Sequence, residues 1–246
     1  MPAAKAEITK AMQTYLSLHR HAAVRADVLK GQDVALRLIA AHILTGSSLW
    51  HVRAEPQRCD KEAIRESLES SPLQKTFAEE RQSIVEMLAE HSDGKDDRET
   101  VSCLKTLIKM TDDELLRLLT FLMAETLEAD TFLIEYLGLH LGTDPAVQWS
   151  PDEAFFDLLR DKAVINAMVA EAAGETVAKA ILTATAKVQK GIPQDCLAGY
   201  RKDGKTDWYP RYMAFPMRAY TNHGGIRAMD LADTLLVIEE TAEQAA

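Results

Sequence analysis

The chain has 246 residues, 47% of them apolar and 27% charged, with a net charge of -10. That length and apolar share are ample for a buried core, and no run of about 18 uncharged apolar residues exists, so no membrane span is expected. The acidic balance argues against wrapping a polyanion with the whole surface and directs any search for one to local basic stretches.

Nearly every segment reads at helical period, with few glycines and prolines and no hairpin signal between alternating runs. A first helix is expected over 4–29, its stripe formed by Ile8, Met12, Tyr15, Leu16, Ala22, Ala23, Val28 and Leu29, with Gly31 at its break. Asp33 caps a second, over 34–44, apolar on most of its circumference and therefore expected to be central to a core. Leu49 to Val52 reads as an extended connector. Asp60 to Leu68 is a third helix, and Ser71 followed by Pro72 starts a fourth that reaches His91, with Phe77, Ile84, Val85 and Leu88 inward. The stretch 91–99 is the most polar and is read as a loop.

Thr100 to Lys109 is a short helix, and Thr111-Asp112-Asp113-Glu114 satisfies the capping-box pattern. The leucine-rich stretch 115–141 is read as two helices broken near Ala129-Asp130-Thr131. It is core, or, if its stripe is too wide for one protomer, a dimer surface. Ser150-Pro151-Asp152-Glu153 is the strongest helix start, with Ser150 as cap and the helix ending at Arg160. Asp161 caps the next, which Gly174 ends, and a third runs from Glu175 to Gln189 and stops at Gly191. The expectation is an all-α multi-helix bundle: a helical bundle over 1–148, a C-terminal three-helix subunit with W-x-P segments over 149–216, and a tail over 217–246 that is either a helix or disordered. The segment around 187–216 is read as irregular, basic and aromatic.

Within 187–227 eight basic residues face three acidic ones. Two readings stand. Lys187, Lys190, Arg201, Lys202, Lys205, Arg211 and Arg218 would neutralise phosphates while Trp208, Tyr212 and the neighbouring Tyr209, Phe215 and Tyr220 stack on unpaired bases. Alternatively, Trp208, Phe215 and the prolines pin an irregular tail over the helices. His19 and His21, two apart, lie on different faces of a helix and do not form a metal pair. Cys59, Cys103 and Cys196 form no C-x-x-C pair, so free thiols are expected rather than a disulfide framework. With no apolar leader at the start, a cytoplasmic location is expected. No nucleophile elbow, zincin, Walker or dinucleotide motif is present, and no cofactor, metal or catalytic residue is assigned.

The succession Trp149-x-Pro151, Phe155-Phe156-x-Leu158-Leu159-x-x-Lys162-x-x-Ile165, Glu171-x-x-Gly174, Lys187-x-x-Lys190 and Trp208-x-Pro210 resembles the closing region of ParB-type partition proteins of plasmids and chromosomes. Leu18-His19-Arg20-x-Ala22-Ala23-x-Arg25 and the run from Ala35 to Leu44 are similar to the family's segment after its DNA-binding region, so the resemblance spans most of 8–216. Neither the family's nuclease-like domain nor its helix-turn-helix is recognisable here. The resemblance implies a non-enzymatic C-terminal module that supports oligomerisation, with DNA and a partition ATPase as further partners. The competing readings are a protein-protein interaction scaffold without nucleic-acid affinity and an enzyme whose site is assembled from scattered residues.

Overall fold

The structure, a computed structural model, describes residues 7–31, 34–35, 38–39, 48, 59–92, 100–147 and 149–222. Among these are ten α-helices with both ends described, further helical residues at 34–35 and 38–39, two 3-10 turns and no strand, so the chain is all-α. The helices are α1 (Lys10–Val28), α2 (Glu62–Ser70), α3 (Pro72–His91), α4 (Thr100–Lys109), α5 (Asp112–Glu125), α6 (Phe132–His140), α7 (Glu153–Leu158), α8 (Lys162–Ala173), α9 (Glu175–Ala180) and α10 (Ala186–Leu197).

The central element is α1. Thr9 caps it by accepting from the Met12 amide, and from Leu18 to Ala26 every side chain is buried, whichever way it points. This differs from the expected one-sided stripe, because the polar residues of the helix are partnered inside. Arg20 is paired with Glu135, His21 with the Leu127 carbonyl at 2.8 Å, and Arg25 donates to Gln74 while lying 3.6 Å over the Phe77 ring. A cation that meets a carboxylate, an amide and an aromatic face can be buried where an isolated one cannot.

Two hydrophobic clusters share α1. Met12, Tyr15, Leu16 and Ala22 join Ile64, Trp149, Phe155, Ile165, Met168, Tyr212 and Met213 in one. Val24 and Val28 join Phe77, Ile84, Leu118, Phe121, Leu127, Ile134 and Leu137 in the other. Most of the leucine-rich stretch is thus consumed by a core within the chain, with Leu122 and Tyr136 each left 41% exposed. Of the helix expected over 34–44, Val34, Ala35, Leu38 and Ile39 are helical and Ala35 and Leu38 enter the second cluster. The rest of that helix, the connector 49–52, His42, His51 and the loop 93–99 lie outside the described residues, as does 223–246.

Local starts and stops follow the side chains. The Thr111–Glu114 capping box forms, and α3 runs from Pro72 to His91, although Val85 is 54% exposed rather than inward. Asp130, at φ 60°, turns the chain between α5 and α6. Two expectations are corrected. The cap of α7 is Asp152, not Ser150, because its carboxylate accepts from the Phe155 amide, and the helix ends at Leu158. The helix expected over 175–189 is two helices. Asn166 and Gln189 side chains cap the carbonyls of Ala178, Ile181 and Leu182, Thr185 restarts the helix, and α10 continues through Gly191 and Pro193 to Leu197.

Candidate nucleic-acid interface

Beyond α10 the chain leaves α-helical structure and, apart from a 3-10 turn at Arg211–Met213, runs as an irregular strap over α8 and α1. Its first anchor is Lys205, whose amide donates to the Ala172 carbonyl at 2.9 Å. Gly204 makes this approach possible: a Cβ there would stand 2.4 Å from the sulfur of the buried Cys196. Burial pushes the Cys196 thiol up from its ordinary value, which keeps it protonated and inert.

Glu171, on α8, is the second anchor. Its carboxylate accepts from the Trp208 indole at 3.3 Å, from the Tyr220 hydroxyl at 2.5 Å and from two nitrogens of Arg211. Arg211 also donates to the Ala219 carbonyl and lies 4.5 Å over the Tyr220 ring. The third anchor is Glu7, before α1. It accepts from the Tyr212 hydroxyl at 2.6 Å, the Tyr220 amide at 2.7 Å, and the amide and hydroxyl of Thr221. Burial first, then the neighbouring carboxylate of Glu7 for Tyr212 and of Glu171 for Tyr220, holds both phenols far above their ordinary value as neutral donors. Phe215 lies against Gly138 of α6, under the Arg20 guanidinium at 4.5 Å, and its bond to Pro216 is cis.

These contacts correct the stacking half of the sequence expectation. Trp208 is 6% exposed and Tyr212 is 0% exposed, so neither ring can receive a base. Phe215 and Tyr220 are half-buried and engaged within the strap, and burial raises the half-buried Tyr209 hydroxyl. The bases separate into groups. Lys205, Arg211 and Arg218 line one concavity of about 400 Å³ with Glu171, Asp207 and Tyr209, and of these Lys205 and Arg218 are exposed. Arg211 is largely committed to Glu171. Lys187 is exposed on α10, and Lys190 is half-buried, its ammonium lowered by burial and then by nearby Arg160. Lys202 is exposed, and Arg201 is half-buried with its Nε unpartnered. The remaining surface is a set of cations on α10, its following loop and the strap, backed by acids, with the ring of Tyr200, next to Arg201 in the chain, 82% exposed.

Glu7, Glu135 and Glu171 organise this region; Glu171 stands in the Glu171-x-x-Gly174 element of the resemblance, while no sequence motif names Glu7 or Glu135. The available signal was a lone acid in an apolar run, as at Glu135 between Ile134 and Leu137. No group of three metal-ligating side chains occurs among the described residues. No described helix is long and apolar enough to cross a membrane. Comparison with protein-family models, curated proteins and solved structures finds no match to this chain.

Proposed function

We propose that the chain is the non-enzymatic helical C-terminal module of a ParB-like DNA-partition protein, one that supports oligomerisation and makes auxiliary contact with DNA. One observation carries this reading. The residues of the resemblance, scattered from Trp149 to Pro210, converge in space: Phe155, Phe156 and Ile165 share a core with Trp149 and Trp208, while Glu171 accepts from the Trp208 indole. A succession of short motifs that closes one packed unit has a physical reason to persist as an ordered set.

DNA contact then falls to Lys187, Lys202, Lys205 and Arg218, with Lys190 and Arg201 behind them. With Trp208 and Tyr212 buried, neither ring stacks on a base; the contact is to phosphates, with Tyr200 the exposed ring beside these cations. The test is a titration of duplex and single-stranded DNA over a range of salt. Affinity falls linearly with salt on a logarithmic scale, and the slope shrinks by about one for each exposed cation removed. A flat salt response, or an unchanged one after K187E, K202E, K205E and R218E together, overturns the DNA role. Light scattering that returns a strict monomer at high concentration overturns the oligomeric role. A partition ATPase is the protein partner this reading implies.

A second reading, an interaction scaffold without nucleic-acid affinity, has support in the net charge of -10 and in α4, where Leu104 is 54% and Ile108 73% exposed. The same titration separates the two.

A further inference from the structure

Away from the strap, the turn between α2 and α3, residues 146–147 and residues 149–152 line an open cavity of about 410 Å³. Its wall includes His19, Ser67, Ser71, Pro72, Trp149 and Asp152. His19 is 1% and Ser71 6% exposed, and His19 Nδ1 and Ser71 Oγ are both buried without a hydrogen-bond partner. Two orphaned polar atoms in the wall of one cavity each cost free energy unless a further group meets them.

The surrounding bonds fix what that group must be. Asp152 accepts from the Tyr15 hydroxyl at 2.8 Å and the Phe155 amide at 2.9 Å through Oδ1, and from the Ser67 hydroxyl through Oδ2. The one proton of Ser67 is therefore spent on the carboxylate. His19 Nε2, 3.1 Å from Ser67 Oγ, must then donate to that oxygen. The imidazole is the neutral Nε2–H tautomer, since burial lowers its pKa to about 4, and Nδ1 is left as a bare acceptor. Serine, histidine and aspartate meet here, but not as a nucleophilic relay. In a relay the acid orients the imidazole and the imidazole takes the serine proton; here the acid takes it directly.

We propose that this cavity is a binding site for a guanidinium group, which donates planar N–H bonds to His19 Nδ1 and Ser71 Oγ. An anion offers no proton to Nδ1 and meets the Asp152 carboxylate one hydroxyl away. The start of α3 at Ser71 and Pro72 carries roughly half a positive charge, less than the full charge of the carboxylate. Trp149 supplies an aromatic wall of the kind that favours a delocalised planar cation. The guanidinium belongs either to a small molecule or to an arginine side chain of a partner.

The experiment uses the full chain with ¹⁵N-labelled histidine, following the two ring nitrogens of His19 by long-range proton–nitrogen correlation. His19 starts as the Nε2–H tautomer, and methylguanidinium shifts its Nδ1 resonance. Tetramethylammonium, a cation without N–H, leaves it in place. Ser71→Ala, at a cap residue whose side chain makes no cap bond, keeps the helical circular dichroism and weakens binding about tenfold. A short arginine peptide that binds more tightly than methylguanidinium assigns the site to a protein partner, and equal binding assigns it to a small molecule. The proposal is overturned if tetramethylammonium binds equally, if inorganic phosphate shifts His19 instead, if Ser71→Ala binds as wild type, or if no probe moves Nδ1.

Discussion

Arg20 and Glu135 face each other at 4% and 3% side-chain exposure, and each has a second task. Arg20 also donates to the Ala214 carbonyl, and Glu135 also accepts from the Met217 amide, so the pair ties the strap to α1 and α6. Removing one partner leaves an uncompensated buried charge, and Arg20→Ala is expected to cost about 3–5 kcal/mol. Replacing the pair with Met and Leu removes both charges, and the double variant is expected to be more stable than either single truncation in urea unfolding. The buried histidines make a second prediction. Burial lowers His19 to about 4 and His21 to about 3, the latter helped by the nearby Arg25. Unfolded imidazoles titrate near 6.5, so below that pH the unfolded chain binds protons that the folded chain refuses. Stability is therefore fully present above pH 6.5 and falls as the pH drops toward 4, by an amount on the order of 6 kcal/mol for the two together. His21→Gln, which keeps a donor for the Leu127 carbonyl, should remove about half of that slope in denaturant titrations at stepped pH. A slope unchanged from wild type would place the acid sensitivity elsewhere.

Helix boundaries divide according to whether their cause is local. Gly174 serves at once as the C-cap of α8 and the N-cap of α9, at φ 90°, and nothing lies within 4 Å of where its Cβ would stand. Gly174→Ala thus isolates the backbone term and should cost about 1–2 kcal/mol without a packing contribution, read as a lowered thermal midpoint. The same residue was legible in the sequence, as were Thr111, the Ser71–Pro72 start and the break at Asp130, because each acts through its own side chain or backbone within a turn. The division of 175–197 was not legible, because it is made by Asn166 and Gln189, which reach carbonyls of another helix or of an earlier turn. For a similar reason the sequence did not decide between stacking and pinning for Trp208, and did not show that Tyr212 is buried. Nothing adjacent to them says that Glu171, 37 residues before Trp208, and Glu7, 205 residues before Tyr212, hold their polar ends. The basic residues that stayed exposed, Lys187, Lys202, Lys205 and Arg218, were legible because a lysine or arginine is rarely buried unless it is paired.

At the scale of the molecule the question is whether the sequence division into 1–148 and 149–216 describes units that unfold independently. The structure gives reasons for coupling. Tyr15 bonds to Asp152 across 137 residues, Glu7 holds Thr221 across 214, and α1 contributes to both clusters. Independent domains keep few contacts across their boundary, whereas here the long-range bonds cross the boundary on buried groups. Unfolding in denaturant should therefore be a single transition. Tryptophan emission, with Trp50 replaced by Phe, reports the cluster of Trp149 and Trp208. Far-ultraviolet circular dichroism reports all the helices, those of the second cluster included. Coincident midpoints and slopes are the expected result. A fluorescence transition that precedes or follows the loss of helix by more than the error of the fits would separate the two clusters. Glu7→Gln then weakens the clasp on Thr221 and should lower both midpoints equally, because the strap it holds closes one cluster while α1, which it precedes, spans both.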